Sequence, residues 1–168
     1  MLNKQYTRSV FTSLVLSTAV ALPSWSQSDA PLVLLPSPGK AVCRTKPAML
    51  GGASVKAEIC VTQGNFSHDV YVLKIDGNTA LKGIDDETTK GISSSYKSQK
   101  VGLSCAPQEL APNASLEEVQ KMLPGHSPAK AKELVALMKD SKTPIEVGRL
   151  CTASSEGTAF LSAQVIFE

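Results

Sequence analysis

The chain has 168 residues, 42% of them hydrophobic but only 5% aromatic, with 17 basic and 15 acidic side chains. Two of the bases, Lys4 and Arg8, and none of the acids fall in residues 1–26, so the remainder carries 15 of each. A neutral remainder lacks the basic surplus that marks binders of nucleic acid or anionic membrane surfaces, and neither is expected as a partner.

Residues 1–26 read as a secretory signal. Lys4 and Arg8 form a positive start, residues 10–22 an apolar run, and Pro23-Ser24-Trp25-Ser26 a cleavage region of mostly small residues. Thr12, Ser13, Ser17 and Thr18 interrupt the run, which is short for a bilayer span, so no stable membrane span is expected after signal removal. No Cys follows the run directly and no arginine pair precedes it, which argues against a lipid anchor and a twin-arginine signal. The expected location is periplasmic or secreted.

Residues 27–39, QSDAPLVLLPSPG, hold three prolines and read as a Pro-rich linker or arm. Whether the Leu32-Val33-Leu34-Leu35 run docks on the domain, binds in trans or stays mobile is open at this level. The cluster Lys40, Arg44, Lys46 and Lys56 then reads as a solvated strand edge guarded by lysines. VKAEICV, residues 55–61, alternates apolar and polar side chains as a half-buried strand does. In VYVLKIDGNTALKGI, residues 70–84, Asp76-Gly77 suits a tight hairpin turn of type I′.

The next stretch, IDDETTKGISSSYKSQK, is mostly polar: three acids, then serines and a tyrosine, then lysines. Three readings compete for it: a solvated connection, a binding loop and a catalytic loop. As a binding loop it would use Asp85, Asp86, Glu87, Ser94, Ser95, Tyr96 and Lys97, with the tyrosine as an amphipathic anchor among adaptable serines. Over a few residues it resembles the Ser- and Tyr-bearing loop that periplasmic lysozyme inhibitors insert into their target. It lacks the Ser-Gly spacing before the tyrosine, and no family is assigned from it.

YKSQKVGLSCA, residues 96–106, resumes strand character, and Pro107 and Pro112 are expected to break it. Ser115 and Glu118 form a capping box at the start of a helix with the apolar face Leu116, Val119, Met122 and Leu123. Ser127-Pro128 starts a second helix, with Ala131, Leu134, Val135 and Met138 on one face. Residues 145–153 and 158–167 read as strands around a four-residue loop, Ser154-Ser155-Glu156-Gly157. The predicted fold is one α+β domain over residues 40–168. It has a mainly antiparallel β-sheet with a two-helix hairpin inserted before a C-terminal β-hairpin.

Cys43, Cys60, Cys105 and Cys151 all follow the signal, and an even count in an exported chain implies two disulfides. Cys43–Cys60 with Cys105–Cys151 is the favoured pairing, because Cys43 and Cys60 lie on neighbouring strand-like runs. No C-x-x-C spacing supports a redox dithiol or a zinc knuckle.

Catalytic motifs are thin. Ser94–Lys97 and Ser127–Lys130 both fit S-x-x-K, but the S-D-N and K-T-G partners of that chemistry do not occur. No G-x-S-x-G occurs, and the histidines are His68 and His126. On a strand, His68 and Asp69 would face opposite sides, so Asp69 is not expected to orient His68. His68, His126, Asp85, Asp86 and Glu87 show no metal-ligand spacing, so no metal or cofactor is expected and no catalytic residue is assigned. Asn65-Phe66-Ser67 and Asn113-Ala114-Ser115 fit the N-glycosylation pattern, relevant only in a eukaryotic secretory route. The functional expectation is a noncatalytic exported protein of inhibitor, immunity or assembly-factor type, acting on an unidentified envelope or secreted protein. The alternatives are a small exported hydrolase using His68 or an S-x-x-K serine, and a small-ligand carrier.

Overall fold

A computed structural model describes residues 30–167, so the segment read as a signal lies outside the described residues. Alternation builds the first layer. β2 (Ala41–Leu50), β3 (Ala53–Thr62), β4 (Val70–Ile75) and β5 (Asn78–Ile84) form a four-stranded antiparallel sheet in the order β2-β3-β4-β5. Every second side chain points inward: Ala57, Ile59 and Val61 on β3, and Tyr71, Leu73 and Ile75 on β4, all fully buried. Asp76 and Gly77 both take positive φ (52° and 81°), the turn their chemistry predicts.

The second layer contains β1 (Leu32–Leu34), β6 (Ile92–Tyr96), β7 (Gln99–Leu110), β8 (Ile145–Ser155) and β9 (Thr158–Ile166), in the order β1-β9-β8-β7-β6. Its pairs are antiparallel except β1 with β9. The two layers share one apolar core, with Leu34, Val101, Leu103, Leu161 and Val165 facing Ile59, Leu73 and Ile75. Each fully buried aliphatic side chain contributes about 1.5–3 kcal/mol relative to exposure. The molecule is thus mostly β with antiparallel sheets and some helix, as expected in outline. It differs in having two sheets. α1 (Asp85–Lys90) follows β5, and the next strand, β6, pairs with β7 in the other layer.

The Pro-rich segment also contributes to the fold. β1 pairs with Ala163, Gln164 and Val165 of β9, and Leu34 is fully buried. Leu32 and Leu34 reach the main core, whereas Val33 packs against a second, smaller one. That smaller core joins Leu110, Val147 and Ile166 to α2 (Leu116–Met122) and α3 (Pro128–Asp140). Ser115 Oγ accepts from the Glu118 amide (3.2 Å) and Glu118 Oε2 accepts from the Ser115 amide (2.7 Å), the reciprocal cap read from the sequence. Ser127 caps α3 one way, its Oγ accepting from the Lys130 amide at 3.2 Å.

Three local expectations are corrected. Pro107 does not end its strand: β7 runs through it to Leu110. β6 reaches only as far as Leu103 on β7, so the missing amide of Pro107 lies where no strand needs it. The last hairpin has a two-residue turn, Glu156-Gly157, since β8 continues through Ser155. The polar stretch is not a loop. Its three acids fill the first turn of α1, where the helix dipole favours them, and Glu87 Oε2 accepts from the Ile84 amide at 3.0 Å.

Both disulfides form with the favoured pairing, each linking residues directly opposed across a ladder. Cys105–Cys151 is fully buried in the main core. Cys43–Cys60 lies on the outer face of the first sheet, because Cys60 alternates with the inward Ile59 and Val61.

Candidate functional site

Three segments meet at the Val70 end of β4: the β3–β4 loop, the start of α1 and the start of β8. The loop is tightly built. Gly64 donates its amide to Asp69 Oδ1 (2.9 Å), and a Cβ at Gly64 would lie 2.1 Å from the Ser67 carbonyl oxygen. At the loop tip Phe66 takes φ 60°, a left-handed conformation that costs a bulky residue free energy, and its side chain is fully exposed.

Next to it, His68 Nδ1 lies 2.6 Å from Asp85 Oδ1, which also accepts from the Asp86 amide at 3.0 Å. The Asp85 amide donates to the Asp69 carbonyl (3.2 Å), tying α1 to the loop. Arg149 holds the other side. Its Nη1 donates to the Asp85 carbonyl (3.2 Å) and to Thr89 Oγ1 (2.7 Å), and its Nε to Glu146 Oε1 (2.8 Å). Burial works against the guanidinium charge, but the Glu146 hydrogen bond and the fields of Tyr71, Glu146 and Asp85 outweigh it and raise its pKa.

Behind this layer lies Tyr71, fully buried, its hydroxyl without a hydrogen-bond partner among the described residues. Burial pushes its pKa well above the ordinary tyrosine range. Asp69, Asp85 and Glu146 push it further, and Arg149 opposes them.

The candidate binding residues are split by this geometry. Asp85, Asp86 and Glu87 stand at the Phe66 end. Ser94, Ser95, Tyr96 and Lys97 belong to β6 and its turn, and Tyr96 marks the other end of β4, about 17 Å away at the rise of an extended strand. Ser94 Oγ donates to the Ala80 carbonyl (2.9 Å) and Tyr96 Oη to the Ile75 carbonyl (3.1 Å). Lys97 lies 3.7 Å from Asp76 and over the Tyr96 ring. Ser95 is exposed on the strand. Beyond this hairpin an open cleft of about 410 Å³ is lined by Met49, Gly51, Gln99 and Phe160, among others.

As a catalytic group, His68 gains from Asp85 the orientation that Asp69 does not supply. Among the described residues no serine, threonine or cysteine is hydrogen-bonded to it. Ser94 and Ser127, the S-x-x-K serines, are occupied as a link from β6 to β5 of the other sheet and as a helix cap. Sequence reasoning missed Phe66, Arg149 and the His68–Asp85 contact. The available signal for the first was an aromatic residue set among turn formers in Gly-Asn-Phe-Ser-His.

Compared with known proteins, the chain matches no family model, no curated protein and no solved structure.

Proposed function

We propose that this is an exported, noncatalytic binding protein that docks on another envelope or secreted protein through the Phe66 end of the sandwich. The observation that carries this reading is Phe66 itself, a large apolar side chain held fully exposed at a left-handed backbone position. Folding alone gives no reason for it: the ring is not buried, and Asn or Gly would suit the backbone better. A rigid aromatic anchor on a pinned loop binds with little ordering cost.

Asp85, Asp86 and Glu87 beside the loop select the partner's chemistry: an apolar pocket bordered by cationic side chains. The same acids disfavour an anionic membrane surface as the target. In this reading α2 and α3 form a helical hairpin inserted ahead of β8 and β9 that braces the second sheet through Leu110, Val147 and Ile166. The two disulfides are compatible with the periplasmic or secreted location that such a role requires.

A second reading, a small exported hydrolase with His68 as general base, is favoured by one observation, the carboxylate on its Nδ1. The deciding experiment places benzoylphenylalanine at position 66, and in a separate protein at position 96, and irradiates each in envelope and culture extracts. A discrete protein adduct at 66, competed by excess wild-type protein but not by Phe66→Ala, is the expected result. Adducts to lipid, adducts at 96 alone, or none at all would overturn the docking reading. A broad hydrolase screen of wild type against His68→Ala then decides the alternative.

A further inference from the structure

We propose that His68, Asp85 and Asp86 form a binding site for one divalent transition-metal ion of the zinc class. Each offers one ligand atom, and these atoms lie within 4.8 Å of one another. Two aspartates opening a helix are on their own only an acidic helix start. The imidazole changes the chemistry: it comes from a separate loop, 17 residues earlier, and brings Nδ1 to 2.6 Å from Asp85 Oδ1. One nitrogen and two oxygen donors suit zinc, cobalt, nickel or manganese, whereas magnesium and calcium prefer oxygen alone.

The supports are already ordered. Asp69 pins the loop that carries His68 through the Gly64 amide, and Arg149 fixes the backbone of Asp85. The Arg149 charge is itself compensated by Glu146 at 2.8 Å. Asp69, Asp85 and Glu146 all act on the nearby Tyr71, so the local field is set by several carboxylates and one guanidinium. That field favours a cation.

Occupancy requires side-chain adjustment only. Donors about 2.1 Å from a tetrahedral ion sit about 3.4 Å apart, against 2.6 Å between His68 Nδ1 and Asp85 Oδ1. Rotation of the exposed imidazole supplies the difference. A metal needs its ligating imidazole nitrogen unprotonated, so ion and proton compete for the same site. With three protein ligands the ion keeps an open position for water or an incoming ligand. The other three-residue group, Cys43, Glu58 and Cys60, is unsuited, because its sulfurs are joined to each other.

The test is calorimetric titration of the oxidised protein with zinc chloride, and separately with magnesium chloride. The expected result is saturable binding of one zinc per chain and none of magnesium. His68→Ala and Asp86→Asn should each weaken zinc binding by at least about tenfold, His126→Ala should leave it unchanged, and acidification from about pH 7.5 to about pH 5.5 should abolish it. Circular dichroism verifies that the variants fold. Absence of saturable zinc binding overturns the site, as does binding that survives both His68→Ala and Asp86→Asn or that depends on His126. The proposal does not rest on the docking reading, whose anchor is Phe66, but it shares Asp85 and Asp86 with it, so a bound ion would offset the acids that border the anchor.

Discussion

The hydroxyl of Tyr96 donates to the carbonyl of Ile75 at 3.1 Å, joining the last residue of β6 in one sheet to the last residue of β4 in the other. The ring is half-buried against the main core. Tyr96 therefore ties the sheets together, which is a different task from contacting a partner. Tyr96→Phe should cost about 1 kcal/mol, the net worth of one hydrogen bond. Tyr96→Ala should cost roughly 2–4 kcal/mol, since part of the ring's packing goes as well. Urea unfolding of both variants checks this, and an unchanged midpoint for Tyr96→Ala would show that the ring supports nothing.

Phe66 presents the opposite balance. Its φ of 60° is one that Asn tolerates and a bulky residue does not, and no core contact is lost when the ring is removed. Phe66→Asn should thus stabilise the protein by about 0.5–1 kcal/mol while removing the anchor proposed for docking. A thermal melt and the crosslinking competition read the two effects separately. Destabilisation by Phe66→Asn would mean that the ring packs on its own loop and is not displayed.

What was legible in the sequence was local chemistry. Asp76-Gly77 announced its turn, Ser115 with Glu118 and Ser127 with Pro128 announced two helices, and the alternation around Ile59 announced a strand. The disulfide pairing followed, because Cys43 and Cys60 face each other across that hairpin. What stayed hidden depends on pairing over distance. Nothing in Leu32-Val33-Leu34 specifies a parallel partner more than a hundred residues later in β9. Nothing local in 85–90 separates a polar loop from a helix whose acids sit on its positive end. Strand alternation would set His68 and its neighbour Asp69 on opposite faces, whereas the loop turns His68 toward Asp85, a contact that periodicity does not encode.

The disulfides should differ in accessibility. Cys43 is half-exposed on an outer sheet face, although its partner Cys60 is buried, while Cys105 and Cys151 are both fully buried between the layers. Under native conditions dithiothreitol should open Cys43–Cys60 first, and Cys105–Cys151 should open only at the rate of unfolding. Timed alkylation with mass spectrometry distinguishes them; simultaneous opening would count against the assignment of faces. The sequence separations of 17 and 46 residues also rank their worth. By loop entropy the shorter link contributes about 3 kcal/mol and the longer about 4 kcal/mol.

Tyr71 should govern stability on the alkaline side. Its hydroxyl is buried without a partner among the described residues, and burial, reinforced by Asp69, raises its pKa above the ordinary value of 10.0. The folded state therefore holds the proton more tightly than the unfolded state. The resulting stability is fully present below about pH 10 and is lost as pH rises from there toward the folded-state value, because only the unfolded chain ionises in that window. Tyr71→Phe removes both the stranded hydroxyl and the titration. At neutral pH it should be neutral or stabilise by about 1 kcal/mol, since an unsatisfied polar group leaves the core without a cavity forming. Above pH 10 its advantage over wild type should widen. Denaturant unfolding at pH 7 and at pH 10.5 gives both numbers. A loss of stability in Tyr71→Phe at pH 7 would mean that the hydroxyl has a partner after all, for which a buried water between Tyr71 and Arg149 is the first place to look.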